Sequence, residues 1–177
     1  MLAGEKVILR PILFEDWEKT LKWRNDLEIK NTTMSHPFPI TPEQEQEWYK
    51  RKLNSLDNST IIFTIITASH NETIGFIHLN EINWLNRNCY FGIVIGDRDS
   101  WGKGYGKEAV GLIIEYGFKN LNLHKIYCYV LEDHPALKTY LSLGANSEGL
   151  LKNHAFIQGR YENVCVLAWY SENIKIC

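Results

Sequence analysis

Long apolar runs are missing from this 177-residue sequence. No stretch approaches the ~18 uninterrupted apolar residues of a membrane span. The opening MLAGEKVILRPILFEDW carries acidic residues and a proline where a secretory leader needs an apolar block. We therefore expect no membrane partner and no signal peptide. Cysteine is scarce: Cys89, Cys128, Cys165 and Cys177 share no C-x-x-C spacing. That usage fits reduced thiols, the first three inside apolar strand-like runs, in a cytoplasmic protein. The six histidines do not cluster at ligand spacing, so no metal is expected. A dominant charge is also lacking. With 19 basic against 21 acidic residues the net charge is −2, and the broad basic surface of a nucleic-acid binder is absent. Repeats, low-complexity blocks and linkers are absent too, so residues 1–177 read as a single domain.

The elements present alternate. KVILRPI reads as a first strand, followed by a helix from about Glu15 to Arg24 in which Trp17 and Leu21 lie four apart. NTTMSHPFPI, with two prolines, reads as a loop. TPEQEQEWYKRKL carries helix-start signals: Thr41 as N-cap, Pro42 in the first turn, Gln44 completing a capping box. STIIFTIITA and TIGFIHLNEI form a hairpin around SHNE, and NCYFGIVIG is a third strand of that group. A helix over about Gly104–Asn120, the strand KIYCYVLE, a short helix in HPALKTYLSLGA and a hairpin around QGR complete the chain. The pattern predicts an α/β (α+β) fold: a mixed, mostly antiparallel sheet of about seven strands with helices on both faces.

The stretch SWGKGYGK, between a strand and a helix, holds three glycines and two lysines. A helix N-terminus presents unpaired N–H groups and partial positive charge, and glycines let a ligand approach the backbone. Residues 102–107 therefore read as an anion cradle, with Arg98 just upstream. The triphosphate-loop pattern fails, because Trp101 stands where its first glycine should be and Glu108 where its Ser or Thr should be. The dinucleotide fingerprint fails at Lys107.

The turn resembles the [QR]-x-x-G-x-[GA] signature of the GNAT superfamily of N-acetyltransferases, with Trp101, Gly102, Lys103, Gly104, Tyr105 and Gly106 in register. The resemblance continues through HPALKTYLSLGA. It extends to the closing hairpin EGLLKNHAFIQGRYENVCVLAWY and the opening LRPILFEDWEKTLKWRND, which look like the branch containing ribosomal-protein N-terminal and spermidine acetyltransferases. It departs at Trp101 for Gln or Arg, at His134 for Asn and at Ala145 for Phe. It implies acetyl-CoA as cosubstrate and direct acetyl transfer to a primary amine, on a small molecule or a protein N-terminus. The backbone of Ile93, Val94 and Ile95, the turn from Trp101 to Lys107, and His134 would hold the cosubstrate. Tyr140 would be the general acid.

The base is open among His78, Glu81 and Glu132. His78 and Glu81 are three apart, which predicts opposite faces of a strand. Gly92 would suit a bulge that parts two strands. Trp23, Arg24, Trp48, Phe156 and Tyr161 are candidates for the acceptor pocket, and Glu43, Glu45 and Glu47 for its acidic wall or for a solvated helix face. An exposed closing strand leaves room for a homodimer. A second reading, a non-catalytic CoA-binding sensor of the same fold, predicts binding without turnover.

Overall fold

Alternating apolar runs assemble into one sheet with helices on either side. The computed structural model describes residues 1–35 and 37–172. Its order is β1 (Leu2–Ala3), β2 (Val7–Pro11), α1 (Trp17–Asn25), α2 (Leu27–Thr33), α3 (Pro42–Asn54), β3 (Ile61–Thr67), β4 (Thr73–Asn83), β5 (Asn88–Ile95), α4 (Tyr105–Lys119), β6 (Lys125–Leu131), α5 (Ala136–Ser142), β7 (Asn146–Ile157) and β8 (Arg160–Tyr170). The sheet order is β1-β2-β3-β4-β5-β6-β8-β7. Only β5 and β6 run parallel; every other neighbouring pair is antiparallel. The eighth strand, beyond the seven expected, is the two-residue β1.

Side-chain parity sorts the two faces. On one, Ile77, Leu79, Cys89, Phe91, Ile126 and Cys128 belong to the buried cluster that also takes in Ala109, Val110 and Ile113 of α4. Phe91, Tyr140 of α5 and Trp169 of β8 meet edge to face at 5.5–5.8 Å. On the other face lie α1, α2 and α3. Trp23 of α1 packs so closely on Gly96 that an added Cβ would stand 2.0 Å from the indole.

The helix signals act as read. Thr41 Oγ1 accepts from the Gln44 N–H, and Gln44 Oε1 accepts from the Thr41 N–H. The first three residues of the stretch read as a loop, Asn31–Thr33, instead end a helix, α2, that begins at Leu27. Asp26 caps α2 by accepting from the N–H groups of Glu28 and Ile29. Cys89 and Cys128 are buried free thiols and Cys165 is a half-buried one; Cys177 lies outside the described residues.

α1 is joined to the sheet by Asp16. Its carboxylate accepts from both Arg10 amino groups at 2.6 and 2.8 Å, from Thr64 Oγ1 at 2.7 Å and from the Leu13 N–H at 2.9 Å. Burial pushes this carboxyl up, but the donors outweigh it and hold the pKa below 3.8. Its stabilisation is complete above the unfolded value and is lost as pH falls through the lower folded value. Asp16→Asn is expected to destabilise the protein by about 3 kcal/mol at pH 7, because it leaves Arg10 without its charge partner. Denaturant titrations at pH 7 and pH 3 should find the variant closer to wild type at the acid end.

Candidate active site

The site begins where β5 and β6 part. They pair in parallel over three positions only, Asn88 with Lys125, Cys89 with Ile126 and Tyr90 with Tyr127. From Phe91 onward each strand continues without the other, β5 to Ile95 and β6 to Leu131. Gly96 donates to Ile74 on the β4 side, so alternation turns the backbone groups of Val94 the same way and those of Ile93 and Ile95 toward a wedge-shaped gap, all three residues being half-buried. A Gly92 bulge does not open it: the β4–β5 register runs unbroken through the His78–Gly92 pair. The glycine serves another purpose. A Cβ there would lie 2.3 Å from His78 Nε2, so its absence makes room for the imidazole.

Beyond β5, a 3-10 turn at Arg98–Ser100 leads to the glycine turn. Gly102 and Gly104 adopt φ of +73° and +85°, which other residues avoid. Gly104 is the N-cap of α4 and supplies no side-chain cap. The first α4 N–H to find a backbone acceptor is that of Glu108, bonded to Gly104. The N–H groups of Tyr105, Gly106 and Lys107 thus form an open cluster at a helix N-terminus, flanked by exposed Lys103 and Lys107. Trp101, which replaces the usual Gln or Arg, donates its indole N–H to the Ile95 carbonyl at 2.8 Å and fixes the strand end against the turn. Arg98 does not belong to this cradle. It is turned away onto Asp26 and Glu28 at the start of α2.

Tyr140 approaches the gap from the α5 side. It is buried against Phe91 and Trp169, and burial drives its phenol well above the usual tyrosine range. It is therefore a protonated hydroxyl at neutral pH. His134, just before α5, accepts from the Ala136 N–H through Nδ1 at 3.1 Å. Burial lowers its pKa, so the neutral ring carries its proton on Nε2 as a donor.

On the opposite face, His78 is half-buried between Phe76 and Tyr90, with ring centroids 6.4 and 6.2 Å away. Burial, then the nearby Lys52 charge, lowers its pKa to about 4, so the ring is neutral at physiological pH. The alternation that predicts opposite faces for His78 and Glu81 does not hold along β4. The register slips between Asn80 and Asn83, and Glu81 takes φ of +54°, exposed beside the Asn80–Tyr90 pair. Glu132 is exposed and accepts from Asn163 Nδ2.

The candidate acceptor residues scatter. Trp23 is a core residue. Arg24 is bonded to Glu45 at 2.6 Å and stacks over Trp48. Glu45 is fully buried, so the acidic helix run is neither wholly solvated nor a free wall. Phe156 and Tyr161 pair with each other on the β7–β8 hairpin, both exposed. Tyr127 and Tyr129, which flank the gap on β6, were not singled out in the sequence. Their spacing of two along KIYCYVL, which puts both rings on one strand face, is the available sign.

Similarity to known proteins agrees with this geometry. The acetyltransferase (GNAT) domain model matches residues 6–143. An N-acetyltransferase of Bacillus licheniformis is 32% identical over 166 residues, 92% of each chain. The spermidine N(1)-acetyltransferase of Vibrio cholerae is 34% identical over 141 residues, 79% of each. The solved structure of the spermidine N-acetyltransferase from Vibrio cholerae, in complex with CoA and spermine, superposes with a TM-score of 0.88 at 28% identity, covering 96% of this chain and 98% of that one. By its sequence, its sheet and its parted strands, this chain belongs to the GNAT family and is an acetyl-CoA-dependent N-acetyltransferase.

Proposed function

We propose that the parted β5–β6 edge holds acetyl-CoA with its diphosphate on the N–H cluster of Tyr105, Gly106 and Lys107, and that the acetyl group passes directly to the primary amine of a small molecule. The observation that carries this reading is the β5 edge left without β6 beyond the Tyr90–Tyr127 pair, on the same stretch of chain as a helix N-terminus without a side-chain cap. The residues fit the ligand. The glycines clear the approach, two lysines flank the phosphate end, and the β5 edge at Ile93, with the Ile95 N–H beside it, can pair with the amides of the pantetheine arm. Acetyl-CoA supplies the thioester that the amine attacks. Backbone N–H groups of β5 lie where a developing oxyanion needs donors.

Two side chains on opposite faces divide the proton work. Tyr140, protonated and with no hydrogen-bond partner within the described residues, gives a proton to the departing thiolate. His78 is neutral with both ring nitrogens unbonded, and accepts the proton released by the amine, directly or through water. His134 orients the cosubstrate through its Nε2 donor. Two considerations favour a small molecule over a protein N-terminus: related chains of known acceptor are spermidine acetyltransferases, and the net charge of −2 suits no ribosomal surface.

Two outcomes are expected. Tyr140→Phe should keep CoA affinity while kcat falls roughly 10- to 100-fold, since general acid catalysis contributes about 10²–10⁴. Single-turnover kinetics, where chemistry limits, are the check, and an unchanged rate returns Tyr140 to a packing role. Gly104→Ala forces a Cβ into a left-handed position at a penalty of about 1–2 kcal/mol and turns the amide cluster. Calorimetry should show CoA binding weakened tenfold or more with the melting temperature only slightly lower; unaltered affinity would remove the diphosphate from this turn.

A further inference from the structure

The α1–α3 face of the gap carries a continuous aromatic row that the transfer chemistry leaves unused. Tyr90, Tyr127 and Tyr129 touch one another with centroids 5.9–6.2 Å apart, and His78 and Phe76 extend the row along β4. Tyr90 and Tyr127 are the last paired residues before the strands part, so the row lies at the closed end of the gap, next to His78. Tyr129 is 40% exposed, and its ring forms the open end of the platform.

The charges around this row are few. Glu81 follows Asn80, the β4 residue paired with Tyr90, and so stands beside the row. In the acidic run of α3, Glu45 is enclosed and bonded to Arg24, while Glu43 and Glu47 are exposed on the helix. Lys52 acts on His78, and Lys125 Nζ lies 5.8 Å from the Tyr127 centroid, held by the Glu148 carboxylate at 2.7 Å. A linear polyamine carries several ammonium groups, and each needs an acidic or desolvated partner. With Glu148 taken by Lys125, Glu81 satisfies one such group and leaves the rest without a partner. A sugar ring bearing a single amine makes the opposite demand. Its C–H face rests on aromatic rings, its one ammonium meets one carboxylate, and an anionic substituent would be welcomed by Lys52.

We propose that Tyr90, Tyr127 and Tyr129 form the acceptor platform and that the acceptor is an amine carried on a sugar ring, with Glu81 holding the ammonium before transfer. This rests on the small-molecule reading above and narrows it. The test compares kcat/KM for glucosamine, glucosamine 6-phosphate and spermidine at saturating acetyl-CoA, in wild type and in Tyr129→Ala and Tyr129→Phe. One of the sugars should exceed spermidine tenfold or more. Tyr129→Ala should raise the KM of that sugar at least fivefold and leave calorimetric CoA affinity untouched, and Tyr129→Phe, which keeps the ring, should restore it. A spermidine kcat/KM equal to or above that of both sugars overturns the proposal while leaving N-acetylation of a small molecule intact. So does a Tyr129→Ala enzyme indistinguishable from wild type. Turnover of none of the three, with CoA still bound, counts against the small-molecule reading itself.

Discussion

Everything in the site depends on β5 and β6 pairing for three residues and then separating. A parallel ladder cut short in the middle of a sheet leaves backbone N–H and C=O groups that neither strand can satisfy, and such groups demand partners. The fold brings the demand and its answer together. β5 runs from the last pair toward the glycine turn by way of a 3-10 turn at Arg98–Ser100, so the parted edge and the open helix N-terminus lie on one stretch of chain. A ligand with amides along its length and a diphosphate at its end meets both requirements in one extended pose.

The same separation gives the gap two independent walls. Phe91 and its neighbours point toward α4 and α5, which places Tyr140 on one side. Gly92 points the other way and makes space for His78 on the second side. Tyr140 and His78 thus stand across a sheet from each other, each set by its own packing. Burial raises one pKa and lowers the other, so both groups are uncharged at neutral pH. Asp16 and Glu108 do the complementary structural work. The first ties α1 to the sheet, and the second accepts from the N–H groups of Glu5, Lys6 and Val7 and so ties β2 to α4.

Much of this was legible in the sequence because it depends on local chemistry. The glycine turn, the Thr41–Gln44 box and the apolar runs all lie within a few residues of the groups they act on. What escaped depends on distant or geometric partners. The short helix α2 shows no strong period in the sequence, and it becomes evident once the Asp26 side chain is seen to cap it. Arg98 sits beside the cradle in sequence, yet two carboxylates on α2 draw it away. The face of Glu81 could not follow from parity once one left-handed residue shifted the register. Gly92 was assigned a bulge when its real constraint is a histidine on the neighbouring strand.

One feature of the far edge of the sheet bears on how this protein behaves in concentrated solution. β7 is the outermost strand, twelve residues long and largely exposed, and a strand of that length with a free edge invites another chain to add on. Its ladder with β8 slips twice, at Ser147–Gly149 and at Leu151–Ala155, with Asn153 at φ of +51° between. These kinks leave no long flat segment for a second strand to zip along. The edge therefore carries its own protection against fibrous stacking. Any pairing of two molecules through it would use side chains, such as the exposed Phe156 and Tyr161, instead of a shared backbone ladder.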